Sequence, residues 1–191
     1  MPAGIVSPKQ DQGSAILEFA ISLPLLVVFV VGIYDFSGAF NQKQKIEQAA
    51  QEGAIIAGAQ PTGDIAATSA PASLTPVVTA IFNSLAGSGV LPNANTGTCT
   101  TPGTAIPPAT GVAWTYTISG CSSGYATDNL VITINRGWVS GTGSPLTIGT
   151  VVTISYPYRW RFNSVIQLLI PGANYAALTQ LTESATVQNQ I

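Results

Sequence analysis

The residue in the most unusual setting is Glu18. It lies five positions after Gly13 within GSAILEFAISLPLLVVFVVGIY, Gly13 to Tyr34, an otherwise apolar run. The sixteen residues from Phe19 to Tyr34 carry no charge. At about 1.5 Å per residue they make roughly 24 Å of helix, near the lower limit for a bilayer span. Asp35 interrupts the run, but Phe36 to Phe40 (FSGAF) resume its apolar character, so a tilted helix still crosses. A carboxylate costs about 2.5–3.5 kcal/mol at the bilayer centre and less near the edges, so Glu18 must be shallow or paired. A cut between Gly13 and Ser14 would supply the pair. The freed α-amino group of Ser14 would begin the helix one turn from Glu18, where the helix dipole also favours the carboxylate by some tenths of a kcal/mol. In a polymer of such helices, the amine of one subunit could meet Glu18 of the next and set the axial register.

Gly13, Ser14 and the Glu18-Phe19 pair, followed by an apolar stretch with Pro24, resemble the prepilin processing signature of a cleavage glycine with glutamate and an aromatic at the fifth and sixth mature positions. The wider block GSAILEFAISLPLLVVFVVGIYDFSGAFNQKQKIEQAAQEGA resembles the TadE-like family of tight-adherence (Tad) pilus proteins. VTISYPYRWRF (Val152 to Phe162) and SATV (Ser184 to Val187) resemble that family's closing strand pair. Roughly Pro61 to Thr150 resembles nothing nameable. The resemblance implies a leader, residues 1–13, that stays cytoplasmic and is removed by a prepilin peptidase, with the carboxyl-terminal domain outside. A conventional signal peptide is the alternative, weakened by the length of the apolar run and the lack of a neat small-residue cleavage site near position 30.

Other chemistries find little support. Charged residues are 7% of the chain, against about 25% in an ordinary soluble domain, so the surface must be built from Ser, Thr, Asn, Gln and Gly. With a net charge of −2 and six scattered cations there is no basic face for nucleic acid. The absence of histidine removes the commonest general base, the Ser-His dyad and most zinc sites. Asp64, Asp128 and Glu183 stand isolated. Gly141-Thr142-Gly143 lacks the lysine and the strand-to-helix setting of a phosphate loop. No catalytic residue, metal or cofactor is expected.

Cys99 and Cys121 sit in polar, turn-rich sequence. In an extracytoplasmic chain one disulfide is the default, with two unpaired small hydrophobes or a reactive thiol as the alternatives. The cluster Tyr156, Tyr158, Arg159, Trp160, Arg161 and Phe162 reads first as strand-end packing with arginine stems over aromatic rings. Second, Tyr158, Arg159, Trp160 and Arg161 could form a surface contact or a membrane-proximal anchor.

The elements follow from periodicity. Pro24 should kink or loosen the membrane helix. Asn41 to Ala59 continues it as a stem whose Ile46, Ala49, Ala50, Gly53, Ala54 and Ala57 share one small-residue face, suited to the protein's own sheet or to another helix, with Lys43 and Glu47 paired on the outside. After a loop from Gln60 to Leu74, Thr75 should cap and Pro76 open a second helix with Val77, Val78, Ile81, Phe82 and Leu85 inward and Gly87 at its end. Leu91 to Gly111 reads as a surface loop held by Cys99. Period-two alternation marks strands at Val112 to Ser119, Leu130 to Asn135 and Val152 to Tyr156, ending before Pro157, with a weaker one at about Thr182 to Gln188. Val165 to Ile170 (VIQLLI) is an apolar run before Pro171-Gly172.

The expected fold is α+β and pilin-like: a long amino-terminal transmembrane helix continues into an amphipathic stem packed on a small antiparallel β-sheet. Its parts are a leader (1–13), a transmembrane and stem helix (14–60) and an extracytoplasmic β-rich domain (61–191). The expected role is a minor pilin or pseudopilin of a Tad-type pilus, cut after Gly13. Its partners would be the prepilin peptidase, the membrane before assembly and other pilin subunits through the helix. The site would move from the inner membrane to a surface filament. The rival reading is a membrane-anchored adhesin-like or carbohydrate-binding domain that never polymerises and binds through the Arg159–Phe162 cluster or the Cys99–Cys121 loop. A secreted hydrolase is disfavoured by the missing histidine and nucleophile motif.

Overall fold

Small residues at three- and four-residue spacing let other elements close on a helix, and the second half of the long helix is built this way. In the computed structural model, which describes residues 9–65, 70–108, 111–122, 128–140, 147–162, 167, 172 and 178–190, helix α1 runs Lys9–Ala59. Its backbone stays helical through Pro24. Ile46, Ala49, Ala50, Ala54 and Ala57 are fully buried in the main core. Gly53 makes the closest approach. A Cβ there would meet Ile81 at 2.5 Å and Val152 at 3.6 Å, so the second helix and the sheet both press on this one position.

That second helix, α2, is Thr75–Gly87, with Val77, Val78, Ile81, Phe82 and Leu85 buried as the spacing predicts. Thr75 is its first residue rather than its cap. A 3-10 turn, Ala72–Leu74, runs straight into it and Leu74 takes the capping place. Lys45 closes the other end by donating from Nζ to the Ser88 carbonyl at 2.8 Å, a cation where helix carbonyls lack partners.

Five antiparallel strands follow in chain order across one sheet: β1 Thr104–Ile106, β2 Ala113–Ile118, β3 Leu130–Ser140, β4 Thr147–Arg159 and β5 Leu178–Gln188. The α+β expectation holds. The covered face carries Trp114, Tyr116, Ile118, Leu130, Ile132, Ile134, Val152, Ile154 and Tyr156, all buried in the core that α1 and α2 share. The other face is hydroxyl-rich. Thr115, Thr133, Thr153 and Ser184 lie in register across four strands, Thr115 and Thr133 sharing a hydrogen bond at 3.2 Å. A chain so poor in charge thus makes its outer sheet surface from Thr and Ser.

Four strands depart from expectation, β5 by beginning at Leu178, ahead of the expected Thr182. β1 lies inside the stretch read as loop, because three residues with exposed, half-buried, exposed side chains leave no alternation to detect. β3 continues past Asn135 through a register shift between Asn135 and Trp138. β4 continues through Pro157, which pairs with Gln180 of β5; the ladder to β3 has already ended at Ser155, so no donor is missed on that side. Lys43 reaches Glu183 at 3.2 Å rather than Glu47.

The end of α1 is held by a buried cation. Arg136, on the covered face of β3 and 2% exposed, donates from Nη2 to the Gln60 carbonyl at 2.6 Å and from Nη1 to the Pro61 carbonyl at 2.8 Å. Burial pulls its pKa down from the ordinary value, and the charge of Asp64 pushes back. Asp64 in turn accepts from the backbone N–H and the hydroxyl of Ser73 at 2.9 and 2.8 Å. The Ser73 N–H, joined by that hydroxyl and by Arg136, holds the Asp64 carboxyl below its ordinary value against the cost of desolvation. The carboxyl-terminal residues join in: Asn189 accepts from Thr150 at 2.6 Å and donates to the Arg136 carbonyl at 3.4 Å, while Gln190 N–H donates to the Gly58 carbonyl at 3.0 Å.

The described residues form two compact units, one drawn from Met1–Gly38 and Trp160–Ala177, the other from Ala39–Arg159 and Leu178–Ile191. Residues 1–8 of the expected leader, Gly141-Thr142-Gly143 and all of Val165 to Ile170 but residue 167 lie outside the described residues.

Arg136→Ala should lower the stability of the full-length chain by about 3 kcal/mol, since it strands two helix-end carbonyls, and Arg136→Lys should restore only part because an ammonium cannot fork. Unfolding in denaturant measures both; an unchanged midpoint for Arg136→Ala refutes the capping role. The depressed Asp64 pKa sets a pH dependence. Its contribution is complete above the unfolded value, about pH 4, and is lost as pH falls through the lower folded value. Asp64→Asn should flatten the acid limb of Tm against pH, and an identical limb would count against the Ser73 contact.

Candidate functional site

The first unit contains the apolar half of α1, and the residues expected to matter there stand in the open. Gly13, Ser14, Glu18 and Phe19 are all exposed, Phe19 by 66%. A Cβ on Gly13 would meet nothing within 4 Å. Ser14 donates from Oγ to a Glu18 carboxylate oxygen at 3.4 Å, one turn away, and Ser22 Oγ donates to the Glu18 carbonyl at 2.7 Å. Large apolar side chains continue bare along the helix: Ile16, Leu17, Ile21, Leu25, Leu26, Phe29, Val30 and Ile33 are each more than half exposed. A soluble protein does not leave such a face to water, and this helix is long and apolar enough to cross a membrane.

Asp35 was legible only as an interruption. It is 2% exposed and accepts the backbone N–H of Phe162 at 2.9 Å. Nothing local in the sequence joins positions so far apart. Beside it, the Phe36 and Trp160 rings meet edge to face, centroids 5.1 Å apart at 62°.

The aromatic-cation cluster does not converge on one cleft. Tyr156 is buried, and burial pushes its hydroxyl up to about 12, with a Ser122 hydrogen bond opposing and Asp128 reinforcing. Arg159 forks onto Asp128, Nε to Oδ2 and Nη2 to Oδ1, both 2.7 Å, with the Asp128 side chain 3% exposed. Tyr158 is half-buried on β4, Trp160 packs on Phe36, and Arg161 is exposed. Asp64, Asp128 and Glu183, isolated in the sequence, therefore each have a partner: Ser73, Arg159 and Lys43.

Cys99 and Cys121 are joined, both fully buried, their Cα atoms 4.9 Å apart. Beside this bridge lies an open cleft of about 420 Å³ lined by Thr98, Thr100, Thr101, Thr104, Thr117 and Ser119 among others. Its lining holds neither a charged side chain nor an aromatic ring.

The fold and this bare helix define the class, an α+β protein with, among the described residues, one amino-terminal helix long and apolar enough to cross a membrane. A family model described as TadE-like protein matches residues 13–54, so this segment of the chain is similar to that family. The match begins at Gly13 and ends within α1. The Val152 to Phe162 and Ser184 to Val187 stretches lie beyond it, although they do pair as β4 and β5, Val152 opposite Ala185. No curated protein and no solved structure matches the chain.

Reduction of the bridge, which spans a sequence separation of 22, should destabilise the chain by about 3 kcal/mol. A Tm that does not move with reductant, with both thiols shown alkylated, would contradict this.

Proposed function

We propose that this chain is a structural subunit, a minor pilin or pseudopilin, of a Tad-type pilus or related filament. It is inserted in the inner membrane by α1 with residues 61–191 outside, cut after Gly13 by a prepilin peptidase, and passed through its apolar helix into a filament with other pilin subunits. The observation that carries the reading is Glu18. It is an exposed acid in a bare apolar helix, one turn from the residue that a cut at Gly13 would make the new amino terminus.

The physics of each step supports it. A protease needs extended backbone, and the Gly13–Ser14 bond carries glycine, the residue that after proline least favours a helix. Glycine there lowers the cost of opening the turn by about 1 kcal/mol relative to alanine. Once cut, the Ser14 amine carries a positive charge beside Glu18, and each group reduces the cost of the other in an apolar setting. Between packed apolar rods that carry no other charge from Ser14 to Tyr34, that pair would set the axial register. For the rival reading, an anchored adhesin-like or carbohydrate-binding domain, the hydroxyl-lined cleft lacks the aromatic platform on which a sugar ring would stack.

Amino-terminal sequencing of material from the envelope and from sheared fibres tests the proposal, with Ser14 expected as the first residue. Gly13→Leu or Gly13→Asp should leave full-length precursor in the membrane. Glu18→Ala should still be cut yet reach sheared filament at least tenfold less. Envelope protein that still begins with Met1 would leave only the tethered domain.

A further inference from the structure

The segment after β4 comes back onto the apolar helix at three points. Phe162 N–H donates to Asp35, the Trp160 ring meets Phe36, and a Phe162 ring carbon lies 3.8 Å from where a Cβ of Gly32 would sit. All three fall at the carboxyl end of the uncharged run Phe19 to Tyr34. On that stripe Val28, Val31 and Gly32 are half-buried and Asp35 is buried, a spacing of three and four residues that marks a single helix face. The neighbours on the other faces are bare, Tyr34 and Phe36 at 68% exposed each.

This combination has a definite chemistry. An exposed tyrosine and phenylalanine, a tryptophan beside them and an exposed arginine one residue on are the side chains that favour the headgroup layer of a bilayer. Aromatic rings rest between oil and water there, and a guanidinium pairs with lipid phosphate. The acid in their midst accepts a backbone N–H, so it enters that layer with one hydrogen bond already made.

We propose that residues 160–162, docked on Gly32, Asp35 and Phe36, form a collar that rests in the lipid headgroup layer and fixes how deep α1 sits. The proposal rests on the reading of α1 as a membrane anchor and adds the layer that this turn contacts. A bilayer, rather than a second copy, is the occupant because the surface continues directly from the bare apolar faces of the helix and ends in a cation. The depth is also consistent. Glu18 lies seventeen residues before Asp35, and about 1.5 Å per residue puts it roughly 26 Å further along the helix. A hydrocarbon core is about 30 Å thick, so a collar at one interface leaves Glu18 close to the other, where an acid is least costly.

The full-length chain, reconstituted in vesicles of phosphatidylcholine and phosphatidylglycerol, tests this with nitroxide labels either at the headgroup or deep in the acyl chain. Flotation with the vesicles reports the anchor alone. The headgroup label should quench tryptophan emission more than the deep label, and Trp160→Phe, which leaves buried Trp114 and the other tryptophan in place, should at least halve the quenched fraction. Asp35→Ala should float equally well but lose the preference for the headgroup label. A chain that floats while Trp160→Phe leaves lipid quenching unchanged overturns the collar and spares the anchor. The same holds if the Trp160 signal follows the protein-to-lipid ratio instead of the label, which assigns the surface to a second copy. Failure to float overturns both.

Discussion

The interaction on which the larger unit depends is the grip of Arg136 on the carbonyls of Gln60 and Pro61, the two residues that follow α1. Where the chain leaves α1, the carbonyls of Gln60 and Pro61 accept from a guanidinium that the sheet has carried into the core. Burying an arginine costs least when its donors are used; here both terminal nitrogens are bonded while Nε has no partner among the described residues, and the planar fork suits two neighbouring carbonyls better than any ammonium. Around it, Ser73, Asp64, Asn189 and the β3 backbone are linked in one hydrogen-bonded set, so helix end, loop, strand and carboxyl terminus are positioned together. The small-residue face of α1 can then pack closely, because the helix cannot slide along the sheet without breaking that grip.

Along α1 the sequence encodes two solvents. From residue 46 onward Ala49, Ala50, Gly53, Ala54 and Ala57 face protein, while from 16 to 33 leucines, isoleucines, valines and phenylalanines face outward on nearly every side. Both patterns are readable without coordinates, since one is periodic and the other is not, and periodicity reports how many sides of a helix are covered. Strands β2, β3 and β4 are legible for the same reason: Trp114, Tyr116 and Ile118 alternate with half-buried neighbours because one face of the sheet is core and the other is hydroxyl. β1 is not legible, since three half-exposed edge residues make no pattern. Nor is Arg136 as a cap or Asp35 as a docking point. Their partners lie 75 and 127 residues away, and composition within a local window holds no record of such a pairing.

The candidate site divides in the same manner. Glu18 could be singled out from local sequence as an acid in an apolar run, whereas Gly13, Ser14 and Phe19 join it through the resemblance to a processing signature. Tyr158, Arg159, Trp160 and Arg161 could be named as a cluster, but their arrangement could not, because Asp128 holds Arg159 and Phe36 holds Trp160 from distant parts of the chain.

Charge supplies the last step. Among the described residues, Lys43 is committed to Glu183, Lys45 to the end of α2, Arg136 to the end of α1 and Arg159 to Asp128. Of the two remaining cations, Lys9 lies nine positions before Glu18 and Arg161 far beyond it in the chain. At about 1.5 Å per residue the first is more than two helical turns away. The chain as written therefore offers Glu18 a hydroxyl from Ser14 and no ammonium within a turn of the helix. Under the proposed cut at Gly13, an amine would arise on that same turn and supply the missing cation.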